Sequence, residues 1–370
     1  MSQFLLRRFF LAIPVLIGIL LVTFALGRMI PGDPCLAQLG ERATDEICDA
    51  FNERNGLNEP IPIQFGIYLG NILQGNLGQS LSFQRPVTQI LVERLPTTIE
   101  LTVTAIIFAV IVGIPLGILA AYKQNSIIDV ITMLISNIGV SMPVFWLGLM
   151  LMIIFAVWMP RQQIFGTPLP ETPLSFLVLP PGRSPSVSVE ERFYSEWNLI
   201  EEGETPAQWM EFISRFTLLN AAITLNFDLF IEAFRRLILP AIAVGTIPLS
   251  IIARMTRSSL LEILGQDYVR TARAKGLREY RVIIRHALKN ALLPVVTIIG
   301  LNFGFLVSGA VLTETVFSLS GIGKTLFEGI TARDYTVVQG VTLTTAIAFV
   351  VINLVVDILY AYLDPRVRLE

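Results

Sequence analysis

The chain has 370 residues, of which 53% are hydrophobic and only 15% are charged. This composition excludes a soluble globular domain, which needs more polar surface, and it excludes a disordered chain and a cysteine-stapled scaffold. The 27 basic and 29 acidic residues nearly cancel, which argues against a nucleic-acid-binding protein, and one histidine with two cysteines leaves too few ligands for a zinc or iron–sulfur site.

Six stretches are apolar and long enough to cross a membrane, which takes about 20 residues. They lie near residues 9–30, 99–121, 130–158, 237–255, 292–312 and 338–360. The first is too long for the apolar part of a signal peptide and lacks small residues at a cleavage position, so we expect it to be retained. Residues 216–231 are short and carry charged side chains, which favours an interfacial helix over a seventh span.

Basic residues indicate the orientation. If the amino terminus lies inside, about half of all Lys and Arg fall in cytoplasmic segments that make up less than a fifth of the chain, as the positive-inside rule requires. Both termini are then cytoplasmic in the inner membrane. The predicted organisation is an N-terminal helix (1–30), an acidic extracytoplasmic loop (31–97) and a core (98–370). The core contains a second extracytoplasmic insertion (159–236), whose Pro-rich stretches are expected to be extended or poorly ordered, and a cytoplasmic segment (256–291).

Local motifs predict how the helices begin and pack. Thr97-Thr98-Ile99-Glu100 has the pattern of a capping box that would open the second span. Two pairs of glycines four residues apart, Gly113/Gly117 and Gly300/Gly304, predict close approach of neighbouring helices. Cys35 and Cys48 fall in the first outer loop, where the oxidising compartment allows either a disulfide or two unpaired thiols.

The cytoplasmic segment carries the most informative motif. Residues 258–275 have a helical composition, and Gly276 is a plausible helix end. Small alanines would allow another surface to approach, and the cations fit either a lipid anchor or a docking element for a cytoplasmic partner. The residues that would form such a docking element are Asp267, Tyr268, Arg270, Thr271, Ala272, Arg273, Ala274, Lys275 and Gly276. If the segment docks a partner, we expect Gly276→Asp or Ala272→Glu to bring bulk and charge into the docking contact and disrupt it without affecting membrane insertion.

This segment resembles the "EAA" loop of ABC-importer permeases of the dipeptide, oligopeptide and nickel branch. Arg270-Thr271-Ala272 stands at the Glu-Ala-Ala position and Gly276 at the family glycine. Further matches run along nearly the whole chain, including residues 30–34, 56–60, 94–101, 254–258, 312–317, 321–323 and 364–366. The insertion at 159–236 is longer than is usual in the family.

The resemblance implies an all-α membrane protein with the six-helix type I permease fold and two long extracytoplasmic loops. It implies a short coupling helix that docks in a groove of an ATP-hydrolysing subunit. The implied partners are a homologous second permease subunit, two ATPase subunits, an extracytoplasmic solute-binding protein and the lipid bilayer. The chain itself would bind no cofactor, because ATP and magnesium would be held by the ATPases, and the cargo would be a peptide or a similar small solute.

Gly321-Ile-Gly323-Lys324-Thr325 invites comparison with a phosphate-binding loop. The full motif needs an earlier glycine, and Ser318 occupies that position. No buried strand precedes it, so we predict an irregular turn on the outer side. The chain is therefore not expected to hydrolyse ATP.

Several polar residues of the spans have candidate roles. Asp357, Asn353 and Tyr360 share one helix face, and we expect structural pairing there in preference to proton coupling. Glu314 is predicted to support a gate or an outer loop. The candidates for the transport pathway are Ser141, Asn302 and Ser308.

Three other classes of protein fit the sequence less well. His286 fits packing or docking beside the coupling segment better than catalysis, and a lone histidine makes an intramembrane enzyme a poor fit. An ion-driven secondary transporter would want ionisable groups at mid-membrane, and the spans nearly lack them. An export permease of related architecture fits the long acidic outer loops less well than an importer that receives a delivery protein.

Overall fold

The computed structural model describes residues 2–29, 35, 44–54, 58–80, 82–164, 167–168, 170, 175–182, 185, 187–188, 190–200, 205–307 and 310–363. These residues are almost entirely helical. The first helices are α1 (Ser2–Met29), α2 (Asp45–Arg54), α3 (Ile61–Leu73), α4 (Val87–Tyr122), α5 (Ile127–Ser141) and α6 (Val144–Met152). A π-helical turn (Ile153–Trp158) and a 3-10 turn (Met159–Arg161) continue α6.

The second half of the chain begins with a minimal antiparallel pair, β1 (Gln163–Ile164) and β2 (Thr167–Pro168), and a 3-10 turn (Ser175–Leu177). Short helices follow: α7 (Phe193–Glu196), α8 (Gln208–Ser214) and α9 (Thr217–Ile223). The remaining helices are α10 (Phe227–Leu264), α11 (Asp267–Ala274), α12 (Glu279–Arg281) with a π turn (Val282–Ala287), α13 (Leu288–Val307), α14 (Val311–Val316), α15 (Ile322–Thr331) and α16 (Tyr335–Leu363).

Within the described residues, five helical segments are long and apolar enough to cross a membrane. They are Val87–Tyr122, Val144–Arg161, Phe227–Leu264, Glu279–Val307 and Tyr335–Ile358. The described apolar stretch of α1, Phe10–Ala25, is shorter. The apolar runs predicted at 99–121, 237–255, 292–312 and 338–360 thus fall largely on helices of spanning length.

The predicted single span at 130–158 is wrong in one respect, because the helix breaks in the middle. α5 ends at Ser141, and α6 begins at Val144. Pro143 lacks a backbone N–H and disfavours helical geometry in the residue before it, and Met142 is accordingly extended, with φ −101° and ψ 137°. The apolar run is therefore two helices with a sharp junction.

The predicted capping box at residues 97–100 is also wrong. α4 begins at Val87 and runs straight through Pro96, so the backbone N–H groups of residues 97–100 are not at a helix start. Their side chains instead bind distant segments. Glu100 accepts a hydrogen bond from the Leu218 backbone N–H at 2.7 Å, which fastens α9 to α4.

The glycine pairs lie where helices touch, as predicted. A Cβ on Gly117 would lie 2.6 Å from the Ala253 carbonyl oxygen of α10, and one on Gly113 would lie 3.0 Å from the Leu249 carbonyl oxygen. On the other side of the bundle, Gly304 lies against Phe349 of α16 in the same way. The small residues let the two longest helices, α4 and α10, pack backbone to backbone in the centre of the fold.

The described part of the insertion at 159–236 is more regular than predicted. Residues 216–231 form two helices instead of one, because Leu225 adopts φ 55° and Asn226 caps the start of α10 by accepting from the Leu229 N–H. Part of the acidic stretch that follows the Pro-rich front is folded as α7. Asn220 of α9 holds it by accepting from the Phe193 N–H at 2.9 Å.

An ion-pair network ties this insertion to the core. Arg192 donates to Glu211 at 2.6 Å and to the Tyr194 hydroxyl at 2.8 Å. Arg215 binds the other oxygen of Glu211 and also lies 3.5 Å from Glu93 of α4. Burial alone would raise the pKa of Glu211, but the guanidinium groups of Arg215 and Arg192 hold it below its usual value.

Candidate functional site

The predicted coupling segment forms a short, separate helix, α11. It follows the long α10 after a two-residue break at Gly265 and Gln266. Its end has the expected glycine geometry, since Gly276 has φ +77°. The Gly276 N–H donates to the Arg273 carbonyl, and the Leu277 N–H donates to the Ala272 carbonyl. This pair of bonds is a Schellman motif, which requires a residue that tolerates positive φ.

The two faces of α11 have different surroundings. Val269 and Ala272 are buried in an apolar cluster of the chain itself, with Leu260, Val282 and Ile283. The interpretation of Ala272 as a small residue that admits a partner is therefore wrong, since its methyl group packs inward. The exposed face carries the side chains of Asp267, Tyr268, Arg270, Thr271, Arg273, Ala274 and Lys275.

Polar contacts fix the position of α11. The Tyr268 hydroxyl accepts from the Asn290 side-chain amide of α13 at 2.8 Å, and Arg273 forms an ion pair with Glu279 at 2.7 Å. Hydrogen bonding to that carboxylate raises the pKa of Arg273 above its usual value. His286 is half-buried in the neighbouring π turn. The helix thus presents a fixed, mainly cationic surface.

Glu314 lies at the opposite end of the fold and is completely buried. It accepts from the Thr98 hydroxyl at 2.6 Å and from the Lys324 backbone N–H at 2.8 Å. Burial raises the pKa of the Glu314 carboxyl, and these hydrogen bonds oppose the rise. The carboxylate joins α4, α14 and the start of α15, which gives it the structural role of a scaffold at this corner.

The phosphate-loop-like sequence is explained by the same carboxylate. A Cβ added to Gly321 would collide with the Glu314 carboxylate, and one on Gly323 would lie 3.0 Å from its Oε2. The glycines leave room for an anion at the start of α15, as in a phosphate loop, but the anion is the protein's own side chain. The Ile322 N–H donates to Thr98, so this helix start is fully occupied.

Asp357 has a partner in the first helix. Its carboxylate lies 2.9 Å from Arg8 of α1, so it is part of an ion pair between the first and last helices. Asn353 lies one turn earlier, and its buried Oδ1 atom has no hydrogen-bond partner among the described residues. The Tyr360 side chain lies outside the described part of the chain.

The three candidate pathway residues are not brought together by any contact in the described structure. Ser141 is exposed at the end of α5 and donates to the Asn137 carbonyl, while Asn302 of α13 donates to the Ile298 carbonyl. Ser308 lies outside the described residues.

Sequence reasoning missed a bidentate ion pair between α5 and α10. Arg257 of α10 donates to both oxygens of Asp129 in α5, each at 2.7 Å, and Asp129 is 5% exposed. Such a bidentate pair is geometrically specific. Nothing in the local sequence joins residues 128 positions apart, although Arg257 lies within the motif 254–258 that resembles the family.

Cys35 and Cys48 form a disulfide, with their Cα atoms 5.4 Å apart. We expect the protein, denatured without reductant, to bind no maleimide and to bind two after reduction, as read by mass spectrometry. Two labels without reductant would contradict the bridge. The described residues contain no group of acidic, histidine and cysteine side chains that could hold a metal ion.

Comparison with known proteins covers the whole chain. Residues 113–369 match the family described as "Binding-protein-dependent transport system inner membrane component", and residues 1–102 match its N-terminal counterpart. The chain is 44% identical over 368 residues to the dipeptide transport system permease protein DppB of Alkalihalophilus pseudofirmus, covering 100% of both chains. It is 43% identical to DppB of Escherichia coli K12 and to a di/tripeptide permease of Pseudomonas aeruginosa, covering 100% of this chain and 99% of each relative.

Proposed function

The chain belongs to the family of inner membrane components of binding-protein-dependent transport systems, and we propose that it is the permease subunit of an ABC importer that carries dipeptides and similar short peptides into the cytoplasm. The proposed class of cargo rests on full-length similarity to permeases named for dipeptide and di/tripeptide transport. An ion-driven secondary transporter is not favoured, because the family depends on a binding protein.

The proposed architecture has six spans and both termini in the cytoplasm. Its support is the density of Lys and Arg in the segments that would lie inside. In this orientation α11 faces the cytoplasm, while the insertion with α7, α8 and α9 faces outward with the Glu314 corner.

In the proposed mechanism, an extracytoplasmic binding protein delivers the peptide to the outer side. A homologous permease subunit completes the pathway, and two ATPases, which hold ATP and magnesium, dock on the coupling helices. The exposed face of α11 fits this role because the helix is anchored to its own chain by the opposite face. ATP and the delivery protein can shift the bundle between inward and outward states only if they bind one state better.

The partner set can be tested by purification in mild detergent. We expect a second permease and ATPase subunits to co-elute, and the eluate to hydrolyse ATP. The separated chain should be inactive, since it lacks the full phosphate-loop motif. ATP turnover that survives removal of the other subunits, or a chain that elutes alone where related complexes stay intact, would contradict the proposal.

The cargo is tested by uptake. A strain that lacks its other peptide transporters should take up radiolabelled dialanine only when this permease and its partner genes are present. Unlabelled dipeptides should compete, whereas a nickel chelate or an oligosaccharide should not. Competition by the chelate or the sugar alone would reassign the cargo.

A further inference from the structure

A stripe of polar side chains runs along α10. Thr246, Ser250, Arg254 and Ser258 follow one another at four-residue steps, which places them on one face of the helix. This face lies on a helix of spanning length, where polar side chains facing lipid are costly. Such a stripe is therefore expected to face other helices or a water-filled space.

The outer half of the stripe is covered by α5. The Thr246 hydroxyl lies 3.4 Å from the Gly139 carbonyl oxygen, and the Ser250 hydroxyl donates to the Asn137 side-chain oxygen at 3.3 Å. The inner half instead opens into a cavity of about 480 Å³ between α5, α10 and α13. Most of its wall is apolar and is formed by Met133, Ile251, Met255 and Ile298.

Two arginines line this cavity, and only one of them is neutralised within the chain. The Arg257 guanidinium donates one hydrogen bond to each carboxylate oxygen of Asp129. Arg254 lies almost one turn away, is exposed, and has no ion-pair or hydrogen-bond partner among the described residues. The cavity therefore offers one uncompensated positive charge beside apolar walls.

We propose that this cavity is a subsite of the transport pathway in which Arg254 binds the C-terminal carboxylate of the peptide cargo. The inference rests on the proposed function. A guanidinium matches a carboxylate with two parallel hydrogen bonds, and the free carboxylate is the group that short peptides of different sequence share. The apolar walls accept a variable side chain without specific hydrogen bonds, so the subsite selects for the terminus and tolerates the rest.

The first test measures dialanine uptake by proteoliposomes of the complete complex, supplied with peptide-saturated binding protein. Arg254→Met should lower the uptake rate about tenfold or more, because the variant loses the hydrogen bonds between the guanidinium and the carboxylate. Arg254→Lys should keep part of the rate, because it retains the charge but loses the two parallel hydrogen bonds of the guanidinium. Arg161→Met is the matched control, because it removes another exposed cation, at the outer end of its span. Its uptake rate should equal that of the wild type.

The second test separates charge from shape. With Cys35 and Cys48 paired, Arg254→Cys introduces a unique thiol. A cationic methanethiosulfonate reagent should restore uptake, while a neutral or anionic reagent of similar size should not. Equal rescue by the neutral reagent would overturn the proposal, because it would show that Arg254 only fills space.

A phospholipid headgroup is the competing anion, and the bilayer composition distinguishes it. The defect of Arg254→Met should be equal in liposomes of neutral lipid and in liposomes with anionic lipid. A defect that appears only with anionic lipid would overturn the proposal in favour of a lipid site. Equal uptake by Arg254→Met and wild type would overturn this inference alone, whereas a wild-type complex that ignores dialanine would overturn the proposed cargo and the subsite with it.

Discussion

Glu314→Ala is expected to lower the free energy of unfolding by about 3 kcal/mol or more, because it leaves several buried donors without an acceptor. The Thr98 hydroxyl and the Lys324 N–H both donate to this carboxylate, which is 0% exposed. A domain has only about 5–15 kcal/mol of stability, so the variant should accumulate poorly. Thermal unfolding of the detergent-purified protein, followed by size-exclusion chromatography, measures the loss.

Glu328→Ala is the matched control for this experiment. Glu328 lies on the same helix, α15, and its contact with Lys324 is a partly exposed pair at 3.8 Å, which contributes at most a few tenths of a kcal/mol. The loss of stability in Thr98→Val should fall between those of Glu314→Ala and Glu328→Ala. This variant removes a hydroxyl that both donates to Glu314 and accepts from the Ile322 N–H. If Glu314→Ala unfolds at the wild-type temperature, the carboxylate is not the element that holds α4, α14 and α15 together.

Ala274→Glu is expected to abolish transport without affecting the fold, because this methyl group lies on the exposed face of α11. A glutamate there would place bulk and negative charge on the surface proposed to dock on the ATPase. Loss of one central docking contact costs about 2 kcal/mol or more, or roughly thirtyfold in affinity. The measurements are uptake in cells, the yield of folded permease and the amount of ATPase that co-purifies.

Ala272→Glu introduces the same side chain two residues away, but on the buried face. Here the carboxylate would enter the cluster with Val269 and Val282, so we expect the yield of folded permease to fall as well. Comparison of Ala272→Glu with Ala274→Glu therefore distinguishes a defect in docking from a defect in folding. Normal uptake and ATPase binding in Ala274→Glu would show that the exposed face of α11 is not the docking surface.

Local patterns were enough to predict the long helices and their closest contacts. An apolar run of spanning length and a pair of glycines four residues apart are signals contained in a few turns of chain, and α4 and α10 pack through Gly113 and Gly117 as that spacing indicates. The helix end at Gly276 is equally local, because it depends on one residue that tolerates positive φ.

What the sequence could not supply depends on tertiary context. Pro96 lies inside a continuous helix, whereas Pro143 separates two helices, so the same residue type has opposite outcomes. The burial of Ala272 depends on which face of α11 meets α10 and the π turn. Thr98, which donates to Glu314, is 216 residues away in the sequence, and no local spacing predicts such a contact.

The ion pair between Arg8 and Asp357 has a consequence for how the protein is made. The ribosome synthesises Arg8 long before Asp357, so α1 exists well before the helix that it packs against. Until α16 follows, the cation and the adjoining face of α1 have no partner from that helix. This pair can therefore close only after α16 has been made, and a chain truncated before α16 would lack this contact between the two helices.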